Sequence, residues 1–191
     1  MNSLLIDTSW GNLSLSLVRE GELISNISLK LKNKMNEMLL EAIDYCLKSV
    51  SMQLRQLDSI TAVIGPGSFT GIRIGVSSIQ GIAAGLEIKP SGISSLDAAA
   101  LVINKSKSRI ACKLRGKTFA LREYDFERGK YSEYQNVTED MIDSDIVLIN
   151  TKNSGDVDLS KAIMHNKFSQ FLRDCVPFYM TKSEAELKFG N

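Results

Sequence analysis

The stretch ITAVIGPGSFTGIRIG, residues 60–75, decides the fold because it reads as a short buried strand, a tight turn and the start of a helix. The helix is predicted to begin at Ser68 or Thr70 and to continue to Gly85. Glycines before a helix N-terminus favour anions, because free N–H groups point outward there. The Walker A and dinucleotide glycine patterns are both absent, so the stretch alone predicts only an anion site of unspecified type.

Four glycines lie within this helix or at its entry. Each interior glycine costs about 1 kcal/mol of helix propensity relative to alanine, and close approach of another backbone is the usual compensation. Gly71, Gly75, Ser78 and Gly85 are spaced by four, three and seven residues, so they lie near one nearly flat face. Two interpretations remain open: tight packing inside the subunit, or a subunit interface or ligand lying against the helix start.

The composition describes an ordinary globular chain. Its 191 residues carry a net charge of +1 and are 43% hydrophobic, which allows a core and demands neither nucleic acid nor a membrane as partner. Three cysteines stand far apart without metal-ligand spacing, which indicates reduced thiols. The N-terminal residues do not resemble a signal peptide, and no apolar stretch approaches the roughly 18 residues of a membrane span. We expect a cytoplasmic protein that makes no membrane contact.

The first part of the chain, residues 1–99, predicts a ribonuclease H-like lobe. An antiparallel meander of three strands is followed by an amphipathic helix, a further strand and the glycine-rich helix; the second strand alternates leucine and serine as a half-buried strand does. The predicted ranges are 4–6, 13–18 and 23–31 for the meander, 33–52 for the amphipathic helix and 59–64 for the further strand.

The remaining residues, 100–191, predict a smaller second α/β lobe, and no linker separates the two lobes. Its first helix begins before the boundary, after a serine cap at Ser94 or Ser95. The predicted ranges are 96–105 for this helix, 109–112 and 117–124 for a hairpin, 146–149 for a strand, 168–174 for a short helix and 176–180 for a last strand.

Several motifs carry a resemblance to a known family. They are IDTS at residues 6–9, GPGSFTGIRIG at 65–75 and GISSL at 92–96, with VPFYM at 176–180 similar to the family's closing Pro-x-Tyr-hydrophobic segment. These motifs resemble the TsaB (YeaZ) family, the bacterial partner in making threonylcarbamoyladenosine in tRNA. The match is dense over residues 4–96 and patchy afterwards.

The resemblance implies a two-lobed actin-like (ASKHA) fold of class α/β, with a ribonuclease H-like mixed sheet and helices in each lobe and a reduced second lobe. It also implies a non-catalytic scaffold that pairs with TsaD, the transferase that acts on the adenosine beside the anticodon. TsaE, a small ATPase, binds the pair. We therefore expect TsaD and TsaE as partners, tRNA reached through the complex and a homodimer when the chain is alone. The only candidate cofactor is a nucleotide at the junction with TsaD.

The family uses its first two helices as the interface, both with itself and with TsaD. The residues expected at this interface are Met35, Leu39, Leu40, Gly71, Ile74, Gly75, Ser78 and Gly85. A vestigial anion or nucleotide contact is expected at Asp7, Thr8, Ser9, Gly67, Ser68 and Arg73. For Asp7 the alternative is a hydrogen-bonded acid at a strand end. For Arg73 it is a solvated or stem-packed side chain.

Basic residues follow one another between positions 105 and 122 with no acid between them: Lys105, Lys107, Arg109, Lys113, Arg115, Lys117 and Arg122. Within this stripe Lys113, Arg115 and Lys117 are candidate phosphate contacts to tRNA. The stripe lacks interleaved aromatic residues, so the solvated outer side of a hairpin remains the alternative.

The chain departs from the family pattern at residues 35–37, where Met-Asn-Glu replaces His-Ser-Glu, and at 112–119, where CKLRGKTF replaces Asp-Ala-Arg-x-Gly-Glu-Val-Tyr. The only histidine is His165, so no metal site is expected. The alternative function is an active enzyme of the same fold, a phosphotransferase or a peptidase-like hydrolase. It would place Asp7 near Mg²⁺ and needs a second phosphate loop, for which the sequence shows no clear match.

Overall fold

The computed structural model describes residues 1–31, 34–149 and 157–181. The first elements are β1 (Asn2–Asp7), β2 (Asn12–Arg19), β3 (Glu22–Lys30), α1 (Met35–Lys48), β4 (Ser59–Val63), α2 (Phe69–Leu86), β5 (Ser91–Ile93) and α3 (Ser95–Ile103). The strands that follow are β6 (Lys107–Lys113), β7 (Thr118–Asp125), β8 (Lys130–Tyr131), β9 (Gln135–Thr138), β10 (Ile146–Ile149) and β11 (Arg173–Asp174). Short 3-10 helices lie at Leu54–Gln56, Glu139–Met141, Leu159–Met164 and Phe168–Phe171.

The first sheet has the strand order β11-β5-β4-β1-β2-β3. β1, β2 and β3 form the predicted antiparallel meander, whereas β4 runs parallel to β1 and β5 parallel to β4. This is the ribonuclease H-like arrangement that the sequence predicts, and the actin-like fold class is confirmed.

The second sheet has a similar but smaller arrangement, in which antiparallel strands are followed by a parallel strand. β8 and β9 both pair with β7, β7 pairs antiparallel with β6, and β10 runs parallel to β6. In the first sheet the 14-residue helix α1 lies between the meander and the parallel strand β4. At the same place in the second sheet lies the 3-residue 3-10 helix Glu139–Met141. The second lobe is therefore smaller, as predicted.

The predicted helix 33–52 corresponds to α1, although residue 33 lies outside the described ranges. α1 ends at Lys48 rather than at residue 52, and Ser51 just beyond it has a positive φ of 55°. α3 similarly ends at Ile103, because Asn104 caps it in the left-handed conformation. The predicted hairpin and the strand at 146–149 are confirmed as β6, β7 and β10.

Strand β1 separates two hydrophobic cores, because its successive side chains point to opposite faces of the sheet. Leu4 and Ile6 pack against α1 and α2, whereas Leu5 packs with Val63 and Leu96 in the core shared with α3. Burial on both faces explains why the strand has no polar face in the sequence.

Strand β2 is buried on both faces, so the prediction of a half-buried strand is wrong. Its leucines face α1, and its serines are covered by the 3-10 helix Leu159–Met164. Ser16 Oγ lies 2.8 Å from Ser160 Oγ, and the Asn26 amide donates to Ser16 Oγ at 2.9 Å. Local alternation cannot reveal this burial, because the covering segment lies 144 residues further along the chain.

Of the two elements predicted after residue 167, the short helix is confirmed only over its first residues and the strand is wrong. Residues 168–174 form the 3-10 helix Phe168–Phe171 and then β11, which pairs antiparallel with β5. Residues 176–180 are not a strand. The Phe178 N–H donates to the Ile64 carbonyl at 2.8 Å. Pro177 has no N–H to donate, which disfavours a regular ladder there.

The division at residues 99 and 100 stays a prediction, but two observations bear on it. α3 spans this position, and its buried residues share one core with residues of both sheets. β11 returns to pair with the first sheet. The described C-terminal residues therefore contribute to the first lobe as well as to the second.

Two glycines of α2 allow the helix to lie directly on the turn after β1. A Cβ at Gly71 would collide with the carbonyl oxygen of Thr8, and one at Gly75 would collide with the Thr8 hydroxyl. That hydroxyl donates to the Gly71 carbonyl at 2.8 Å. Tight packing inside the subunit, one of the two interpretations left open by the sequence, accounts for these glycines.

We expect Gly71→Ala to lower the free energy of unfolding by at least about 2 kcal/mol, because the added methyl group meets backbone that cannot move aside. The matched control is Gly81→Ala, whose methyl group meets nothing within 4 Å and which gains up to about 1 kcal/mol of helix propensity. Urea unfolding curves of the two variants measure both effects. Equal stability of the two variants would contradict the close contact.

Candidate functional site

The turn that follows β1 places the residues of the expected anion site inside the protein. The exposed fractions of Asp7, Thr8 and Ser9 are 6%, 1% and 0%. Asp7 Oδ1 accepts hydrogen bonds from the Ser9 N–H at 2.8 Å and from the Ser9 hydroxyl at 2.5 Å. The Ser9 carbonyl accepts from the Ser68 N–H at 2.6 Å. The turn does not present these three side chains to a ligand, and the alternative of a hydrogen-bonded strand-end acid describes Asp7.

The buried Asp7 carboxyl is an unusual acid. Burial raises its pKa to about 6, the two hydrogen bonds from Ser9 oppose the rise, and the nearby Asp158 carboxylate adds to it. At neutral pH the folded protein therefore holds a carboxylate in a place that favours the neutral acid.

The other residues of the expected anion site lie at the start of α2. Ser68 is the N-cap, with its Oγ accepting from the Gly71 N–H at 3.3 Å. The Arg73 guanidinium lies 3.8 Å from the centre of the Phe69 ring, and its Nε donates to the Tyr179 hydroxyl at 3.1 Å. Arg73 is therefore exposed but already engaged with its own chain.

An open cleft of about 440 Å³ brings two of the expected sites together. It is lined by Trp10, Gly11, Gly67, Ser68, Lys113 and Leu114. The end of β6 thus lies beside the start of α2, which the sequence could not show. Nε1 of Trp10 is, in the described residues, a buried donor without a hydrogen-bond partner.

Three residues of the basic stripe, Lys107, Arg109 and Arg122, form ion pairs with acids from neighbouring elements. Arg109 contacts Asp143 at 2.7 Å and Glu123 at 3.2 Å, and Lys107 lies 3.6 Å from Asp125. The antiparallel pairing of β6 with β7 places Asp125 opposite Lys107 and Glu123 opposite Arg109, whereas Asp143 lies just before β10. Lys113, Arg115 and Lys117 remain exposed at the turn between the two strands.

Sequence reasoning missed a buried polar cluster that joins α3 to the second sheet. Asp97, 0% exposed, accepts from Arg122 at 2.6 Å and from the hydroxyls of Tyr124 at 2.8 Å and Tyr134 at 2.5 Å. Burial and the Asp97 carboxylate raise the pKa of Tyr134. One feature of the sequence points to this cluster. An acidic residue, Asp97, stands inside the otherwise apolar run of residues 95–103, three positions after the Ser94 cap.

The outer face of α1 and α2 is open and nearly flat. On α2, Ile74, Ser78, Gly81 and Gly85 lie within about 60° of one another around the helix axis. A Cβ added at either glycine would meet nothing within 4 Å. On α1, Leu40 is 56% exposed. We call these five residues the outer face.

The structure separates the expected interface residues into two groups. Leu40, Ile74, Ser78 and Gly85 belong to the outer face, and Gly81 joins them without having been predicted. The others lie inside the subunit: Met35 and Leu39 are only 8% and 1% exposed, and Gly71 and Gly75 face Thr8. Met35 and Leu39 are buried because the apolar stripe of α1 packs on the sheet. Met35 and Gly71 also line a groove of about 340 Å³ between the two helix starts.

Across residues 1–31, 34–149 and 157–181, no group of three or more His, Cys, Asp or Glu side chains is arranged to hold a metal ion. His165 has its Nε2 2.9 Å from Asn104 Oδ1. Over the same residues, none of the helices combines the length and apolar character of a membrane span.

We expect stability to fall as pH rises from about 4 to 6, because native Asp7 holds its proton up to a pKa of about 6 whereas the unfolded acid loses it near 3.8. Asp7→Asn keeps an oxygen acceptor for Ser9 and cannot ionise. It should lose this pH dependence and be more stable than the natural chain at pH 7 by up to about 3 kcal/mol, the equivalent of a pKa shift from 3.8 to about 6. Unfolding curves between pH 4 and 7 test this, and parallel pH profiles for the two proteins would show that Asp7 does not titrate as described.

Comparison with known proteins identifies the family. The family model of TsaD, tRNA N6-adenosine threonylcarbamoyltransferase, matches residues 22–189. The tRNA threonylcarbamoyladenosine biosynthesis protein TsaB of Bacillus subtilis is 36% identical over 100 residues, which are 52% of this chain and 44% of that protein. TsaB of Escherichia coli is 29% identical over 137 residues, 71% of this chain and 55% of that protein. The chain spans about half the length of the curated relatives it matches.

Solved structures share the fold over nearly the whole chain. YeaZ from Pseudomonas aeruginosa superposes with a TM-score of 0.74 at 17% identity, covering 94% of this chain and 99% of that one. A second Pseudomonas aeruginosa protein, described as similar to the peptidase YeaZ, gives a TM-score of 0.78 at the same 17% identity, again with 94% and 99% covered. The match to the family model and the similarity to the TsaB relatives show that the chain belongs to this family, as a TsaB/YeaZ-like protein.

Proposed function

We propose that this chain is a non-catalytic scaffold subunit for the formation of threonylcarbamoyladenosine beside the anticodon of tRNA. It acts in the cytoplasm, pairs with a TsaD-type transferase and is joined by TsaE. Family membership supports the reaction, since the TsaB relatives are named as tRNA threonylcarbamoyladenosine biosynthesis proteins. A nucleotide at the junction with TsaD is the only cofactor in this proposal.

The observation that carries the scaffold role is the outer face of α1 and α2. Gly81 and Gly85 offer open space for another backbone, and Leu40 on the neighbouring helix α1 has 56% of its surface exposed. Small residues let two helices approach closely, and exposed apolar side chains in a cluster mark interaction sites. A helix of TsaD is the proposed occupant of this face. A second copy of the chain is proposed to occupy it as a homodimer when TsaD is absent.

The geometry supports a scaffold better than the alternative, an active phosphotransferase or peptidase-like hydrolase. Such an enzyme would use Asp7 against a metal ion or a substrate. Asp7 is instead 6% exposed and bonded to Ser9, and Thr8 is bonded to α2. The groups that an actin-like enzyme would turn toward its ligand hold this subunit together.

The first test reconstitutes threonylcarbamoyl transfer to tRNA from a cognate TsaD, TsaE and adenylate-forming enzyme, with and without this chain. We expect transfer only when the chain is present. Gly81→Leu should lower transfer at least tenfold, because its side chain occupies the space of the partner helix and a tenfold loss needs only about 1.4 kcal/mol of binding energy. The matched control Gly81→Ala should behave as the natural chain.

The outcomes distinguish a wrong scaffold function from a wrongly placed interface. Equal transfer with and without the chain would rule out the scaffold function. Dependence on the chain together with full activity of Gly81→Leu would place the interface elsewhere.

The exposed turn between β6 and β7 is the proposed contact with tRNA phosphates. Lys113, Arg115 and Lys117 lie there, and Lys113 also lines the cleft beside Ser68. Lysine and arginine side chains on one exposed turn match the charge of a phosphate backbone.

Reversing the charge of Lys113, Arg115 and Lys117 to glutamate should weaken binding of tRNA by the complex at moderate salt. The salt dependence of the binding constant should also become shallower, because fewer counterions are released. Lys105→Glu is the control, since Lys105 is exposed beyond the other end of β6. Filter binding at several salt concentrations measures both quantities. Binding by the triple variant that equals binding by the control would exclude this contact.

A further inference from the structure

The last described residues cross the junction between the two lobes. Residues 173–181, here called the strap, begin with β11, which pairs with β5 of the first sheet. The Cys175 carbonyl accepts from the Gln80 amide of α2 at 2.7 Å, and the Phe178 N–H donates to the Ile64 carbonyl at 2.8 Å. These bonds attach the strap to the first lobe through its backbone.

The approach to the first lobe is close enough to require glycine. A Cβ at Gly65 would lie 2.6 Å from the Phe178 carbonyl oxygen, and Gly65 has a φ of +107°, which other residues rarely adopt. The middle of the strap therefore lies directly on the turn that leads into α2.

The same strap also contacts the second lobe. The Asn136 side chain of β9 donates to the Met180 carbonyl at 3.0 Å, and the rings of Tyr134 and Phe178 lie 4.8 Å apart. Arg173 donates to the Tyr134 hydroxyl at 2.9 Å. Tyr134 in turn bonds the buried Asp97, so this end of the strap is connected to the polar cluster between the lobes.

A third contact reaches the first turn of α2. The Tyr179 ring stacks on Phe69 with 4.7 Å between centres, and its hydroxyl accepts from Arg73. Phe69 and Arg73 precede Ile74, the first residue of the outer face on α2. Tyr179 lies between Phe178 and Met180, so the contacts with both lobes and with α2 come from three consecutive residues.

We propose that the strap couples the second lobe to the start of α2, so that loosening its bond to β9 loosens the first turn of that helix. Movement of Met180 away from Asn136 displaces the adjacent Tyr179, which holds Phe69 and Arg73. The bond from Asn136 is exposed, and such bonds open at the least cost. A protein or nucleic acid that binds the second lobe can thus alter the outer face without touching it. Only this last step rests on the proposed function, since the coupling concerns the chain alone.

The test is amide hydrogen exchange on the full chain with Asn136→Ala. This change removes the bond to the Met180 carbonyl and touches no residue of α2. We expect exchange at the Phe178 and Ile72 amides to become about fivefold faster, the size expected for one lost hydrogen bond. The matched control is Val176→Ala, a change at a strap side chain that is 55% exposed, which should leave both rates unchanged.

A second variant tests the coupling from the other end. Tyr179→Phe keeps the stacking on Phe69 and removes the hydroxyl that Arg73 contacts. Because energetic coupling is reciprocal, it should speed exchange in β9 as well as at the start of α2. Faster exchange confined to the neighbourhood of each substitution would overturn the proposal. So would an equal effect of Val176→Ala. These readouts need no partner protein, so their failure is distinct from failure of the scaffold function.

Discussion

The structure depends on the contact between the turn after β1 and the start of α2. The Thr8 carbonyl occupies the place where a side chain at Gly71 would begin, and the Ser68 N–H donates to the Ser9 carbonyl. Two backbones meet here without side chains between them, which only glycine allows. This contact determines how α2 lies on the sheet and hence which of its residues face outward.

The same contact keeps the polar groups at the end of β1 inside the subunit. In this chain the polar groups of residues 7–9 bond to one another and to α2. This arrangement is destabilising at neutral pH, because Asp7 is then a carboxylate in a buried site that raises its pKa to about 6. The contact also fixes α2 with Gly81 and Gly85 turned outward, and this preorganised helix face supports the proposed docking of a partner helix.

The second lobe is small, yet it contacts the first both in the interior and at the surface. The Asp97 cluster joins α3 to β7 in the interior, and the strap crosses the surface from β5 to β9. Asp97 at the centre of the interior cluster is fully buried, whereas the bond from Asn136 to the strap is exposed, and exposed bonds open at the least cost. The junction between the lobes thus contains both a buried polar cluster and an exposed strap.

Sequence alone determined the meander, the two long helices of the first lobe, the reduced second lobe and the family, because strand alternation, helical periodicity and the GPGSFTGIRIG motif are local signals. The weak elements near the C-terminus were missed, since β11 exists only through its pairing with β5. Part of the candidate site was also missed, because the buried Asp97 cluster joins residues from separate elements.

Which glycines of α2 face inward was decided only by the tertiary structure. Helical spacing puts Gly71, Gly75, Ser78 and Gly85 on one broad face, and Thr8, 63 residues before Gly71, occupies one side of that face. Likewise, acids from other elements pair with part of the basic stripe, and a distant segment buries the serines of β2. Periodicity describes one element at a time, whereas burial and charge pairing depend on which distant elements lie against it.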